Sequence, residues 1–490
     1  MAELTPAVPS PPDRLSALDA AFLDLETSRA PLHVGWTLRF AGPAPSVAAL
    51  RRHVDARLGR MPRFRRRVVL PALSLGDAHW ADDAGFDVAR HVHSVKLRAP
   101  AGQTQLRELA QLLLSTPLDL QRPLWRLNLV TGLDGGFALV GQAHHALVDG
   151  LAAVEVATLL LDVKASAAPA EDTPWTPAAA PSAANSFSAA LRARAGGAAS
   201  VGSALLAVPA SPADIVRGLA RSAGGAPQAL AAVASLASPS QSTTLDQSLT
   251  RERRVAFASA PLDDLRDSAA RHGVTINDLL LTAATVAVGS ALRRRGELPP
   301  SVRALMPAST RGADEAAADN SNRISFLAID LPVAEPDLVR VLRTVRARTA
   351  ARKRSGEAGA ADSLLRAADA LPAAGRRQVA RAAAQAAKFS VIVSNVPGPP
   401  VALELLGREM TAAWPAVPLL DGHALTIGAL SYDGRLFAGV YADAEVVPDA
   451  TDVARDLERA LDALRTLERP AASPWRARAR LRRDAVRSVS

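Results

Sequence analysis

The sequence predicts an α/β protein with two domains, and three observations support this prediction. The chain has 490 residues, which is more than one domain usually contains. Short apolar runs rich in β-formers alternate with segments whose apolar residues recur at helical spacing, as in α/β layers. From about Ala165 to Ser248 the composition shifts to alanine, proline, serine and glycine, which is typical of a connection between domains. We therefore divide the chain into an N-terminal domain over 1–165, a connecting segment over 166–248, a C-terminal domain over 249–470 and an arginine-rich tail over 471–490.

The N-terminal domain is predicted to alternate between helices and strands. Its first helix begins at Ser16, an N-cap residue with Asp19 three positions later as a capping partner. The periodicity then predicts strand Leu32–Phe40, helix Val47–Leu58, strand Val68–Leu70, helix Thr104–Leu114, strands Arg126–Val130 and Phe137–Ala143, and an apolar helix that begins at Gly150.

The C-terminal domain shows the same alternation. Thr275 and Asp278 have the spacing of a capping box at the start of an apolar helix. The other predicted elements are strand Arg251–Ala260, helix Leu262–Arg271, strand Val302–Pro307, helices Arg340–Arg354 and Arg376–Lys388, a strand that a Pro-Gly turn ends at Pro397, a hairpin of Leu425–Leu430 with Leu436–Tyr441, and helix Ala450–Leu467.

Composition and charge restrict the partners. Hydrophobic residues make up 49% of the chain and charged residues 21%, which argues for a folded protein. The net charge of +9 favours anionic partners such as CoA phosphates or acidic lipid headgroups. We expect no nucleic-acid partner, because aromatic residues are only 4% and no nucleic-acid motif is present.

Cysteine usage and hydropathy predict a cytoplasmic protein whose membrane contact is peripheral. The chain has no cysteine, so disulfides and thiolate chemistry are excluded. The N-terminus lacks the basic start and apolar core of a signal peptide. The longest apolar run, Leu279–Leu292, is too short to span a bilayer.

The most informative stretch follows strand Phe137–Ala143, where His144 and His145 precede Asp149 and Gly150. A strand that delivers histidines into a loop is a common way to expose a general base at a cleft. We predict no metal site here, because adjacent residues at a strand end point to opposite sides. The chain has no motif of a serine hydrolase, zincin, dinucleotide-binding protein or P-loop protein. Histidine and aspartate at this spacing also occur as core groups, so the motif needs support from the rest of the chain.

Four motifs in a fixed order supply that support. They are Pro-Leu-Trp at Pro123, Leu124 and Trp125; HHxxxDG from His144 to Gly150; Asn-Asp at Asn277 and Asp278; and SNVPGP, which contains Ser394, Asn395, Pro397 and Gly398. Together they resemble the wax ester synthase/acyl-CoA:diacylglycerol acyltransferase family, within the HxxxD superfamily of CoA-dependent acyltransferases. The similarity extends from about Leu15 to about Leu467, without the connecting segment. Ser321 departs from the family, which usually has glycine at that turn.

The resemblance implies a fold, a reaction and partners. The fold is the two-domain, chloramphenicol acetyltransferase-like architecture with a channel between the domains. The reaction transfers a long-chain acyl group from acyl-CoA to the hydroxyl of diacylglycerol or of a long-chain alcohol. No cofactor is implied, since acyl-CoA is a co-substrate. The protein would be cytoplasmic and associate peripherally with the inner face of the membrane or with lipid bodies.

The resemblance also implies roles for individual residues. His145 would act as general base and His144 would support it. Asp149 would hold the loop, and Asn277 would stabilise the developing oxyanion or orient the site. For Asp278 we favour the helix cap over a substrate contact. The Trp125 side chain is a core anchor or a wall of the acyl channel, and these two roles can coincide.

Two further positions have a structural and a functional interpretation. We favour strand-end packing for His33 over a direct role in the site. The arginines at 65–67 are interpreted as a solvated edge rather than a phosphate site.

Two other function classes share part of this pattern. One is a carrier-protein-dependent acyltransferase or condensation-type enzyme, which also contains HHxxxDG but is disfavoured by the Asn-Asp and SNVPGP motifs. The other is a non-catalytic lipid-binding relative, which the intact His145 and Asp149 disfavour.

Overall fold

The structure is a computed structural model that describes residues 13–70, 78–148, 160–163, 175–178, 240–309, 324–355 and 373–468. The predictions for Asp149, Gly150 and the helix after them lie outside the described residues. So do those for most of the connecting segment and for the arginine-rich tail.

The N-terminal half begins with a capped helix, as predicted. In α1 (Ala17–Leu25) the Ser16 hydroxyl accepts the Asp19 N–H at 3.0 Å. This bond satisfies one of the amides that a helix start leaves unpaired. The other elements are β1 (Asp13–Arg14), β2 (His33–Ala41), α2 (Val47–Arg57), β3 (Arg66–Val69), β4 (His79–Asp82), β5 (Val92–Ala101), α3 (Gln103–Ser115), β6 (Trp125–Leu133), β7 (Gly136–His144) and β8 (Asp162–Val163).

The C-terminal half is built around α5 (Ile276–Arg294), most of whose residues are buried. The predicted capping box of Thr275 and Asp278 is present at its start. The other elements are β9 (Arg253–Pro261), α4 (Leu262–His272), β10 (Val302–Ser309), β11 (Ile324–Leu331), α6 (Leu338–Arg354), α7 (Ala373–Ala386), β12 (Val391–Val396), β13 (Leu403–Leu405), β14 (Arg408–Ala416), β15 (Leu425–Tyr432), β16 (Arg435–Asp443) and α8 (Ala450–Arg465).

Most strands belong to two large mixed sheets. The first has the order β5-β6-β7-β2-β14-β13-β8, and its β5–β6 pair is parallel. The second has the order β11-β10-β12-β15-β16-β9, in which β12 runs parallel to both neighbours. Strands β1, β4 and β3 form a small separate sheet. Helices pack against these sheets, so the predicted α/β class is confirmed.

One segment crosses between the two halves. Strands β13 and β14 lie within the predicted C-terminal domain but pair with β8 and β2 in the first sheet. At the end of β14 the carbonyl oxygen of Pro415 reaches β16 so closely that a Cβ on Gly439 would lie 1.9 Å from it. Only a glycine permits this approach. Residues 249–470 therefore contribute strands to both large sheets.

The second sheet opens at one edge of β12. Strands β10 and β12 pair only at Ala304 with Val391 and at Leu305 with Ile392. Beyond these positions β10 continues beside β11, and β12 continues beside β15. The facing backbone groups of β10 and β12 are not paired with each other there, so the two strands diverge.

No single described helix is long and apolar enough to cross a bilayer. Only α4 and α5 taken together, across a bend of 100°, satisfy that criterion.

Candidate active site

His145 is the first residue beyond β7. Its backbone N–H donates to the Leu32 carbonyl at 2.8 Å, which fixes the chain where the strand ends. The imidazole is half-buried and stacks on the Phe22 ring of α1, with centroids 4.0 Å apart and planes inclined by 16°. A short strand and an aromatic contact thus hold the predicted base at a partly accessible position.

His144 is fully buried and held on two sides. Its Nδ1 accepts the Ala146 N–H at 3.0 Å, so in the neutral ring the proton is on Nε2. That Nε2 lies 3.3 Å from Oε2 of Glu26. The other carboxylate oxygen of Glu26 accepts the Leu32 N–H at 3.3 Å. His144 therefore lies between Glu26 and the loop that contains His145, and its supporting role stays a prediction.

The two histidine rings have separate partners, and this arrangement gives no support to a shared metal ion. Within the residues that the structure describes, no group of three or more histidine, aspartate or glutamate side chains could hold one.

His33 lies opposite His144 in the β2–β7 pair and is buried. Its Nε2 donates to the Leu114 carbonyl at 2.7 Å. Burial lowers the pKa of His33 to about 4, so the ring stays neutral near pH 7. The same carbonyl accepts the Tyr441 hydroxyl at 2.9 Å, which brings a residue of the second sheet to the end of α3. These contacts fit the interpretation of His33 as a packing residue.

A buried ion pair within the second sheet lies beside this point, and the sequence did not indicate it. Nη1 of Arg253 lies 3.3 Å from Oδ2 of Asp443, and both side chains are almost fully buried. Arg253 also donates to the Arg29 carbonyl in the loop between α1 and β2. Arg253 thus ties the second sheet to the loop that leads to the histidines, and Asp443 supplies its counter-charge.

The Pro-Leu-Trp motif anchors the N-terminal core. Pro123, Leu124 and Trp125 are all buried. The indole N–H of Trp125 donates to the Phe64 carbonyl at 2.7 Å, and the ring stacks on His91 with centroids 4.6 Å apart. A hydrogen-bonded, buried indole is the expected form of a core anchor. These contacts explain the motif by packing in the core. Its predicted role as a wall of the acyl channel stays a prediction.

Two of the three consecutive arginines do not form the expected solvated edge. Arg65 is buried and pairs with Asp55 at 3.1 Å. Arg66 pairs with Asp82 at 2.9 Å. These partners come from other elements, so the expectation from local charge density is wrong for both residues.

The Asn-Asp motif lies at the start of α5. Asp278 accepts the Thr275 N–H at 2.9 Å and the Thr349 hydroxyl at 2.6 Å, so its carboxylate binds two helices together. Asn277 is half-buried, and its amide donates to Sδ of Met306 at 2.9 Å. Met306 lies where β10 leaves β12, at the opening of the second sheet. The described hydrogen bond of Asn277 therefore goes to this opening and not to His145.

The SNVPGP motif lies at the end of β12, beyond the two positions at which β12 pairs with β10. Ser394 and Asn395 pair with β15 and are half-buried. Pro397 then ends the strand. The Gly398 N–H donates to the Ser431 hydroxyl at 3.1 Å, and a Cβ on Gly398 would lie 2.1 Å from the Ser431 carbonyl oxygen. The motif fixes a turn in which two backbone segments touch.

Two apolar clusters meet between the histidines and the opening of the second sheet. One cluster surrounds the stack of Phe22 and His145, and the other lies at the β10–β12 divergence. Leu420 packs against both of them. Their buried members are Leu18, Phe22, Leu32 and Ala146 in the first cluster and Leu305, Phe389 and Ile392 in the second. A continuous apolar core therefore extends from the N-terminal half to the C-terminal half.

Comparison with known proteins identifies the family. A profile described as the wax ester synthase/diacylglycerol acyltransferase catalytic domain matches residues 15–280, and the C-terminal domain of the same family matches 320–465. The chain belongs to the wax ester synthase/diacylglycerol acyltransferase family. It is 32% identical over 456 residues to a probable diacylglycerol O-acyltransferase of Mycobacterium tuberculosis, covering 92% of this chain and 95% of that protein. It is 29% identical over 460 residues to the O-acyltransferase WSD of Acinetobacter baylyi, covering 91% and 95%.

Solved structures show the same fold. The wax ester synthase/diacylglycerol acyltransferase of Marinobacter aquaeolei VT8 aligns with a TM-score of 0.64 at 23% identity, covering 92% of this chain and 98% of that one. The first condensation domain of the calcium-dependent antibiotic synthetase aligns with a TM-score of 0.58 at 14% identity, covering 95% and 98%. The predicted two-domain acyltransferase architecture is thereby confirmed. The condensation-type alternative shares the fold, but both matching profiles belong to the wax ester synthase/diacylglycerol acyltransferase family.

Proposed function

We propose that the chain is an acyl-CoA-dependent O-acyltransferase that transfers a long-chain acyl group to diacylglycerol, with His145 as general base. The observation that carries this proposal is the position of His145. Its half-buried imidazole lies at the end of β7, beside apolar side chains contributed by both halves of the chain. An acyl chain needs apolar surroundings, and the attacking hydroxyl needs a base beside it.

The proposed reaction requires a general base and a site that holds acyl-CoA and the acceptor together. His145 takes the proton of the acceptor hydroxyl as its oxygen attacks the thioester carbonyl. The new C–O bond forms, the C–S bond breaks, and the proton passes to the leaving CoA thiolate. Asn277 is our candidate for the developing oxyanion, and Asp149, with Gly150 after it, is proposed to hold the histidine loop. The proposal involves no metal and no cofactor besides the co-substrate acyl-CoA.

A long-chain alcohol is the second candidate acceptor. The family name includes wax ester synthesis, whereas the similar M. tuberculosis protein is named as a diacylglycerol O-acyltransferase. The purified protein should be assayed with palmitoyl-CoA and either diacylglycerol or hexadecanol, with the ester products separated by thin-layer chromatography. We expect a higher kcat/KM with diacylglycerol. A preference for hexadecanol would assign the second acceptor, and no ester from either would contradict the proposed function.

We further propose that the protein reaches its lipid substrate by peripheral contact with an anionic lipid surface, through α6. This helix contains seven arginine or lysine residues and no acidic residue. Its buried face consists of Val341, Leu342, Val345 and Thr349, so most of the charges face outward. Arg343, Arg346, Lys353 and Arg354 are exposed, and none of these four forms an ion pair with another described residue.

The arginines of α8 differ from those of α6. On α8 each of three arginines pairs with an aspartate three residues before it: Arg455 with Asp452, Arg459 with Asp456, and Arg465 with Asp462. Exposed positive charge attracts anionic headgroups, at about 1 kcal/mol for each basic residue near the surface. We propose that the protein is cytoplasmic and makes this contact at the inner face of the membrane or at the surface of lipid bodies.

The charge-reversal variant Arg343→Glu/Arg346→Glu should bind anionic vesicles more weakly than the unmodified protein does. The measurement is co-sedimentation with vesicles of phosphatidylcholine with and without phosphatidylglycerol, at low and high salt. High salt should also release the unmodified protein, because exposed charges are screened. The control variant Arg455→Glu/Arg459→Glu makes the same charge change on α8 and should bind normally. Equal loss in both variants, or binding that resists salt, would contradict a role for α6.

A further inference from the structure

Helix α1 contacts both the histidine pair and the C-terminal half of the chain. Phe22 is buried and stacks on the His145 ring. Glu26, the residue that ends the helix, lies against His144. On another side, Asp24 pairs with Arg377 of α7 at 2.9 Å. Three residues within one helical turn and a half thus link the histidines to a helix from the other half.

The stack restricts rotation of the His145 side chain, which the backbone hydrogen bond does not restrict. A histidine can still rotate about its two side-chain bonds when its backbone N–H is fixed. A ring lying nearly parallel to another at 4.0 Å is held in its plane. A general base needs this orientation, because a small misplacement of a catalytic group costs rate steeply.

The position of Phe22 depends in turn on both halves. The pair of Asp24 and Arg377 holds α1 against α7, and the side chains are only about one-quarter to one-third exposed. In the same region, Arg253 of the second sheet donates to the Arg29 carbonyl just beyond α1. Helix α1, which contains Phe22, is therefore held on both sides by residues of the C-terminal half.

We infer that Phe22 is a positioning residue for His145: its ring sets the plane of the imidazole and acts on the reaction only through it. The inference rests on the proposed role of His145 as base. Loss of the stack should lower kcat by about 2- to 10-fold, the effect expected of one aromatic contact. The KM for acyl-CoA should change less, because a restraint on the base does not bind substrate.

The test is a double-mutant cycle. Phe22→Leu is made in the unmodified protein and in the His145→Ala variant, with ester formation followed from radiolabelled acyl-CoA. We expect Phe22→Leu to lower kcat in the first background and to have no further effect in the second. Phe22→Met is a second variant that keeps more of the side-chain volume, and circular dichroism checks folding. The control Phe86→Leu removes another stack of phenylalanine on histidine, that of Phe86 on His91, and should leave kcat unchanged.

The outcomes separate this inference from the proposed function. An equal fall in rate in both backgrounds, or a rise in KM at constant kcat, would show that Phe22 packs against substrate or supports the fold, and would overturn the inference. Near-normal turnover by the His145→Ala protein would instead contradict the proposed role of His145 as general base, on which the inference rests.

Discussion

Replacement of His145 by alanine is expected to lower kcat/KM by about 10²–10⁴-fold, the usual contribution of a positioned general base. This corresponds to a barrier higher by roughly 3–5 kcal/mol. The folded protein should tolerate the change, because the imidazole is only half-buried. The rates are measured with saturating acyl-CoA over a range of acceptor concentrations, and melting curves confirm folding.

A matched control separates the loss of a base from the loss of any histidine. His93 lies half-buried on β5, and His93→Ala should retain normal activity. His145→Gln keeps the polar character of the side chain but removes the base, so it should be as impaired as His145→Ala. A well-folded His145→Ala protein with near-normal turnover would show that another group takes the proton.

The second large effect is expected on stability. Asp443 is fully buried and accepts hydrogen bonds from the Thr250 N–H at 2.6 Å and the Thr250 hydroxyl at 2.9 Å, beside Arg253 at 3.3 Å. Asp443→Ala leaves the guanidinium buried without its counter-charge. Breaking a buried pair in this way typically costs about 3–5 kcal/mol. We expect a large fall in the melting temperature and in soluble yield.

The control for this prediction is a surface pair of the same chemistry. Asp462 pairs with Arg465 on α8, where both side chains are substantially exposed. Asp462→Ala should therefore change stability by less than about 1 kcal/mol. If the two variants melted at the same temperature, the buried ion pair of Arg253 and Asp443 would not stabilise the fold as we describe.

Local signals in the sequence predicted the parts of the fold that depend on neighbouring residues. The capping box of Thr275 and Asp278 needs only four consecutive positions, and the structure confirms it. The hairpin of β15 and β16 also formed as predicted, with Asp433 and Gly434 at its turn. Such features are encoded within a few residues and need no knowledge of the tertiary fold.

Features that depend on distant partners were not predicted. Strand β14 contains Pro415, which argues against a strand in a sheet interior, yet the strand pairs with β2 across the two halves. Arg65 was interpreted by the charge around it, whereas its partner Asp55 comes from α2. Arg253 and Asp443 are separated by 190 residues, so no local pattern could indicate their pairing.

The candidate site shows the same division. The strand that ends at His144 was predicted from a seven-residue apolar run, and the motif indicated His145 as the base. Neither Phe22 nor Glu26 was predicted from the sequence as part of the site. Their contacts with the histidines depend on how α1 packs against the end of β7, which periodicity does not determine.

The central claim is that His145 promotes direct transfer from acyl-CoA to a bound acceptor. The most direct measurement is rapid mixing of the protein with acyl-CoA, with and without diacylglycerol, followed by CoA release and intact protein mass. The chain has no cysteine, and no activated nucleophile is predicted beside His145. We therefore expect no burst of CoA and no change in protein mass without acceptor. With acceptor, CoA release should equal ester formation. A stoichiometric burst of CoA without acceptor, together with a mass increase of one acyl group, would contradict direct transfer.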